Sequence, residues 1–193
     1  MRLVAFALLL CFGLLSTVAR AQVLHSLEDH GKLYLNLLGF QRVSAVASQR
    51  GSLIKQLCSG FFRRRCVKDA EGPLVFTFNQ IHAVIAVGKK PRKVLTILYP
   101  QNSSVEIPAN FFLALSVAAD ELRDKGEDSN QLRSLLLPVS AQSITDKQSK
   151  RTLHFAATEI ATIDVIEREK TLTVTITSNA DRAIIYHSDI TLK

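Results

Sequence analysis

The feature whose residue types and spacing best suit chemistry is a short loop between two cysteines. Cys58 and Cys66 have seven residues between them, and in an oxidising compartment we expect them to form a disulfide. The loop holds two aromatic and three basic side chains, Phe61, Phe62, Arg63, Arg64 and Arg65. Guanidinium groups bind sulfate, phosphate and carboxylate through paired donors, and phenyl rings anchor partners or enter membrane interfaces. We therefore interpret the loop as a binding site for an anionic partner.

Two other interpretations of this loop stay open. In the first, Phe61 and Phe62 point inward and pack in the hydrophobic core, while the three arginines are exposed to solvent. The basic triplet 63–65 is also typical of a protease processing site, and cleavage there would leave two pieces joined through the cystine.

A second basic cluster follows, formed by Lys89, Lys90, Arg92 and Lys93. Gly88 and Pro91 indicate a turn here, at the tip of a predicted hairpin over 81–99. The simpler interpretation is a solvated turn, because charge runs usually are solvated. With the Cys58–Cys66 loop it would form a cationic face, although the sequence alone does not establish that the two clusters share a face.

Asn102-Ser103-Ser104 is an N-glycosylation sequon that follows a predicted strand. In a eukaryotic host we expect a glycan on Asn102.

The motifs of the common enzyme classes are absent from the sequence. It contains no G-x-S-x-G, P-loop or G-x-G-x-x-G pattern, and disulfide formation would remove the thiol nucleophiles. His25 and His30 lack the spacing of a zinc-binding helix. We predict isolated histidines, at the surface or half-buried, at His82, His154 and His187. We therefore predict no catalytic residue, no metal and no cofactor. The sequence favours a protein that is not an enzyme, and the enzyme alternative stays open.

The first 21 residues are typical of a secretory signal peptide. Arg2 precedes an apolar block over 3–18, and Ala19-Arg20-Ala21 matches the small-residue pattern that signal peptidase cleaves. An uncleaved anchor or a lipid on Cys11 are the alternatives, but the block is shorter than the roughly 20 residues that a membrane-spanning helix needs. We expect a mature chain of residues 22–193 that is secreted or extracellular, or periplasmic in a bacterium.

The first half of this chain predicts a helical region followed by strands. Apolar spacing indicates helices within 22–62, with a possible interruption at His30-Gly31, while alternation over 33–37 leaves a strand open there. Stretches rich in Val, Ile and Phe predict strands over 74–78, 81–87 and 94–99.

The second half predicts one helix and a run of strands. Apolar residues at helical spacing predict a helix over 108–125, with Pro108 in its first turn and Gly126 as its end. Residues 127–151 are polar, and we expect 141–151 to be a mobile connection. Alternating aliphatic and threonine residues over 171–177 predict a strand with one buried face and one face exposed to solvent.

The resulting prediction is a single α+β domain over 22–193. It has an N-terminal helical region and an antiparallel sheet, with the hairpin 81–99, a C-terminal meander over 152–192 and a packed helix over 108–125.

The full chain has a formal net charge of +7, which falls to +5 when Arg2 and Arg20 leave with the signal peptide. We predict a secreted, non-enzymatic binding module whose partner is a sulfated glycan, an anionic membrane or an acidic protein, and no nucleic acid. The alternatives are a membrane-active or lipid-binding protein that uses amphipathic N-terminal helices, and a small secreted hydrolase.

Overall fold

Residues 27–43, 74–85 and 94–192 are described by the structure, a computed structural model, and they form three helices and two five-stranded antiparallel sheets. The helices are α1 (Leu27–Leu37), α2 (Ala109–Asp124) and α3 (Ser129–Leu136). The first sheet contains β1 (Gln41–Arg42), β2 (Leu74–Phe78), β3 (Ile81–Ile85), β4 (Val94–Leu98) and β5 (Ser104–Pro108). The second contains β6 (Ser140–Asp146), β7 (Arg151–Ala157), β8 (Ala161–Arg168), β9 (Thr171–Ser178) and β10 (Ile184–Thr191).

In each sheet every strand pairs with the next described strand along the chain, and all these pairs are antiparallel. The α+β prediction is therefore confirmed. The predicted hairpin is the β3–β4 pair of the first sheet, and the predicted C-terminal meander forms β7 to β10 of the second. The helices pack against the sheets, and one cluster of buried apolar side chains includes residues from both sheets.

Strand β9 shows why the second sheet has one buried face. Leu172, Val174 and Ile176 are fully buried, while the threonines between them point to the other face. Successive side chains of a strand point to opposite faces, so aliphatic residues at every second position place one face of β9 against the core. The prediction for this strand is confirmed.

Helix α2 packs against both sheets and both other helices. Half of its sixteen residues are buried: Phe111, Phe112, Ala114, Leu115, Ser116, Ala118, Ala119 and Leu122. Burial over so much of its circumference is typical of a helix inside the core. Pro108 is the N-cap rather than a residue of the first turn, and the helix is followed by Gly126, whose φ of +105° an L-residue rarely adopts.

Helix α1 confirms the helical prediction only over part of its range. Residues 33–37 are helical, so the strand alternative there is wrong, and Gln41–Arg42 pairs with β2. Gly31 does not interrupt the helix. A Cβ at that position would lie 2.8 Å from Cδ1 of Ile85, so glycine allows α1 to approach β3 closely. The rest of the predicted helical region lies outside the described residues.

The prediction of a mobile connection over 141–151 is wrong. Residues 140–146 form β6, and a four-residue turn leads into β7. Before it, α3 begins with a capping box in which Asp128 accepts hydrogen bonds from the backbone of Asn130 and Gln131, and the Gln131 side chain accepts from the Asp128 backbone. The polar composition of this stretch reflects exposure, since β6 lies at the edge of the second sheet.

Two tyrosines fasten the end of α3 to the rest of the core. The buried Tyr34 hydroxyl donates to the Leu136 carbonyl at 2.6 Å, and the Tyr99 hydroxyl donates to the Pro138 carbonyl. Burial raises the pKa of Tyr34 well above its usual value and raises the pKa of Tyr99 to about 12. The folded state therefore favours the protonated form of both phenols.

Stability is expected to fall as the pH rises above about 10. In the unfolded chain tyrosine ionises near pH 10, whereas folded Tyr99 keeps its proton to about pH 12, so proton release favours unfolding across that window. Urea unfolding between pH 7 and pH 11 measures this slope. Tyr99→Phe removes one titrating group and should flatten the slope, while costing about 1 kcal/mol at pH 7 through the lost hydrogen bond. An unchanged slope in this variant would contradict the assignment.

Candidate functional site

Two segments, 44–73 and 86–93, connect strands of the first sheet, and both start and finish at the same end of that sheet. We call them the cationic segments. Val43 donates its backbone N–H to the Val75 carbonyl, next to the start of β2 at Leu74. Leu74 pairs with Ile85, the last residue of β3, and Val94 begins β4 beside it. Four neighbouring strands span about 14 Å at the usual inter-strand spacing. The four attachment points of the two segments therefore lie within that width.

Basic residues are concentrated in these two segments. The cationic segments contain ten Lys and Arg residues and two Asp and Glu residues, a formal charge of +8. The described ranges 27–43, 74–85 and 94–192 contain 11 basic and 15 acidic residues, a formal charge of −4. The positive charge of the chain thus belongs mainly to segments attached at one end of the first sheet.

All the binding residues predicted from the sequence belong to these segments. They lie outside the described residues, as do both cysteines of the predicted disulfide: Cys58, Phe61, Phe62, Arg63, Arg64, Arg65, Cys66, Lys89, Lys90, Arg92 and Lys93. The register of the described strands brings together the points where the two clusters attach.

The sequon residue Asn102 lies at the opposite end of the first sheet. It is exposed in the turn between β4 and β5, and its φ is +59°. The pairing of Leu98 with Ser104 closes this turn, while Val94 and Pro108 pair at the other end. A glycan on Asn102 would therefore point away from the attachment points of the cationic segments.

A chain of four hydrogen-bonded side chains joins the start of α2 to the second sheet. The Ser143 hydroxyl contacts Nδ1 of His154 at 2.7 Å, and Nε2 of His154 contacts Oε2 of Glu167 at 3.0 Å. Nδ2 of Asn110 donates to the other carboxylate oxygen of Glu167 at 2.6 Å. The His154 ring stacks on Phe111, with centroids 5.3 Å apart and planes inclined by 16°. His154 is 3% exposed, whereas Ser143 is exposed to solvent.

The antiparallel register of three strands places this chain. Ser143 on β6 pairs directly with His154 on β7, so their side chains share one face of the sheet. His154 pairs with Val165 on β8, and Glu167 stands two residues further along the same face. The core face of the second sheet therefore carries a Ser–His–Glu array at its edge.

This array is absent from the sequence-based predictions because the polar stretch over 141–151 is typical of a connection and not of a strand. His154 was predicted as an isolated histidine at the surface or half-buried, and this is wrong: it is buried and has two side-chain partners. His187 is exposed and His82 half-buried. Recognition of a β6–β7 hairpin would have placed Ser143 opposite His154, since the turn fixes the register.

The described part of the chain contains no cluster of three or more His, Cys, Asp or Glu side chains suited to hold a metal ion. Among the same residues no helix is long and apolar enough to cross a bilayer. Comparison with known proteins gives no match to a family model, to a curated protein or to a solved structure.

His154→Ala is expected to destabilise the fold by about 2–4 kcal/mol, because it removes a buried ring and leaves the Glu167 carboxylate with one partner fewer. Ser143→Ala is expected to cost less, about 1 kcal/mol, because Ser143 is exposed and the change removes only its hydrogen bond to His154. Urea unfolding of the two variants provides the comparison. Equal losses would mean that His154 is not the centre of this array.

Proposed function

We propose that this protein is a secreted binding module that captures a polyanionic partner through the two cationic segments. The observation that carries the proposal is the shared end of the first sheet: β1, β2, β3 and β4 hold the four attachment points within about 14 Å. Because these points are close, basic residues from both segments have access to the same partner.

Electrostatic capture is the proposed mechanism. Arg63, Arg64 and Arg65 offer paired donors to sulfate, phosphate or carboxylate groups, and the lysine-rich cluster over 89–93 adds charge. The rings of Phe61 and Phe62 would supply apolar anchoring once the partner is close. The partner class is a sulfated glycan, an anionic membrane or an acidic protein, which share a dense negative surface.

The separation of charge between the cationic segments and the described residues supports this mechanism more strongly than the net charge of the chain does. The described residues carry a formal −4 and the cationic segments +8, so a polyanion is attracted to one region and repelled by the rest. Such an asymmetric field orients an approaching partner and raises its association rate at low salt. The result is directional binding from a moderate overall charge.

The sequence features of secretion agree with this role. The leader of residues 1–21 would deliver the chain to an oxidising compartment, where the cystine Cys58–Cys66 would close the arginine loop. Asn102 is exposed at the opposite end of the sheet, so a glycan there would not cover the binding end.

The membrane-active alternative has less support from the described helices. The apolar side chains of α1, including Tyr34 and Leu35, are buried in the core together with Leu38 and Phe40. A folded chain does not offer these side chains to a bilayer, so lipid insertion by α1 would require its release from α2.

Replacing Arg63, Arg64 and Arg65 together by alanine should weaken binding to anionic vesicles about a hundredfold. Each basic residue near an anionic surface contributes about 1 kcal/mol, and 1.4 kcal/mol is a factor of ten. Sedimentation with phosphatidylglycerol vesicles and elution from a heparin column measure the loss, which should shrink as salt is added.

The matched control removes three charges elsewhere. Lys147, Lys150 and Arg151 are exposed at the β6–β7 turn, and their joint replacement by alanine lowers the net charge by the same amount. This variant and Asn102→Gln should keep wild-type retention. If the control loses as much as the arginine variant, net charge alone governs binding and the proposed site is wrong.

A further inference from the structure

We propose that Ser143 is an activated nucleophile and that the Ser143–His154–Glu167 array hydrolyses small carboxylic esters. This activity is separate from polyanion binding, and either proposal stands if the other fails. It rests on three described strands and the first turn of α2.

The two hydrogen bonds of His154 meet the geometric requirement for general-base activation. The Ser143–His154 distance of 2.7 Å and the His154–Glu167 distance of 3.0 Å both fall within direct proton-transfer reach. A serine, an imidazole and a carboxylate in line form a general-base arrangement that recurs on unrelated folds. In this protein the two ring nitrogens are interchanged relative to that arrangement, with Nδ1 facing the serine and Nε2 facing the carboxylate.

Asn110 holds the Glu167 carboxylate in place beside His154. Its amide donates to one oxygen of Glu167, and the other oxygen contacts Nε2 of His154. A carboxylate can only accept, so Nε2 of His154 donates its N–H to Glu167 and Nδ1 is left as the acceptor. Ser143 must then donate its hydroxyl proton to Nδ1, and this is the direction that generates an alkoxide-like nucleophile.

The array is held rigid on one side and open on the other. Phe111 covers the imidazole face, and the ring is almost fully buried, so its orientation costs little to maintain during reaction. Ser143 stands on the edge strand and is exposed. A substrate therefore approaches from the solvent side, where Ser143 meets Nδ1 of His154.

The reaction follows from these roles and balances with water as the only co-reactant. The Ser143 Oγ attacks the ester carbonyl carbon while its proton passes to Nδ1 of His154. The tetrahedral intermediate collapses, the bond to the alcohol oxygen breaks, and that oxygen takes the proton from Nδ1. Water, deprotonated by the same nitrogen, then attacks the acyl group on Ser143, releases the carboxylic acid and restores the hydroxyl.

The small side chains next to Ser143 indicate the size of acyl group that fits. Along β6, the residues that share the face of Ser143 are Ala141 and Thr145, which leave room for a short acyl chain. The described residues assign no backbone pair as oxyanion donors, and such donors contribute factors of 10²–10³. Slow turnover of activated short-chain esters is therefore the expected behaviour.

The test uses the full secreted chain with p-nitrophenyl acetate and with a fluorophosphonate probe that labels activated serines. Wild type should hydrolyse the ester and be labelled, and peptide mapping should place the label on Ser143. Ser143→Ala should lose at least tenfold in both readouts. Ser140→Ala is the matched control, since Ser140 lies on the same exposed strand and faces the other side, and it should behave as wild type.

Glu167→Gln tests the role of the carboxylate as a positioning residue. It keeps the size of the side chain, and it should slow labelling at least tenfold while leaving the label on Ser143. Equal labelling of Ser143→Ala and wild type, a label on another residue, or no labelling of wild type above heat-unfolded protein would each overturn the proposal. Peptide mapping of the wild type does not depend on whether any variant folds.

Discussion

The burial of α2 is the packing constraint on which the rest of this structure depends. Phe111, Phe112 and Leu115 are completely buried, and the helix contacts strands of both sheets as well as α1 and α3. Truncating a buried phenylalanine to alanine costs about 3–5 kcal/mol in a packed core, which is a large share of the stability of a domain this size. Because this one helix packs on both sheets, its displacement would expose buried side chains of both.

The same helix links the proposed binding end of the first sheet to the Ser143–His154–Glu167 array of the second. Pro108 ends β5 opposite Val94, at the end of the first sheet where the cationic segments attach. Asn110, two residues later, holds Glu167 of the second sheet. The start of α2 is therefore next to both the proposed binding end and the Ser143–His154–Glu167 array, and its packing fixes the positions of both.

The elements with strong periodicity could be predicted from the sequence. The 109–124 helix and β9 follow from apolar residues at spacings of 3.6 and 2. The edge strand β6 could not be predicted from the local pattern. Residues on both of its faces are exposed, so it lacks the alternation of apolar and polar residues that is typical of a strand. The array was missed for the same reason, since Ser143, His154 and Glu167 meet only through the pairing of β6, β7 and β8. The capping box at Asp128 and Gln131 was a readable signal for α3.

The central proposal is that basic residues of both cationic segments bind the same polyanionic partner. Its most direct test is the salt dependence of the dissociation constant for a heparin-derived oligosaccharide, in wild type and in a variant with Lys89, Lys90, Arg92 and Lys93 replaced by alanine. Each cation that contacts a polyanion displaces counterions and adds to the slope of log K against log salt concentration. We predict a shallower slope in this variant, although Arg63, Arg64 and Arg65 remain. A slope equal to that of wild type would contradict it, because the second segment would then take no part in binding.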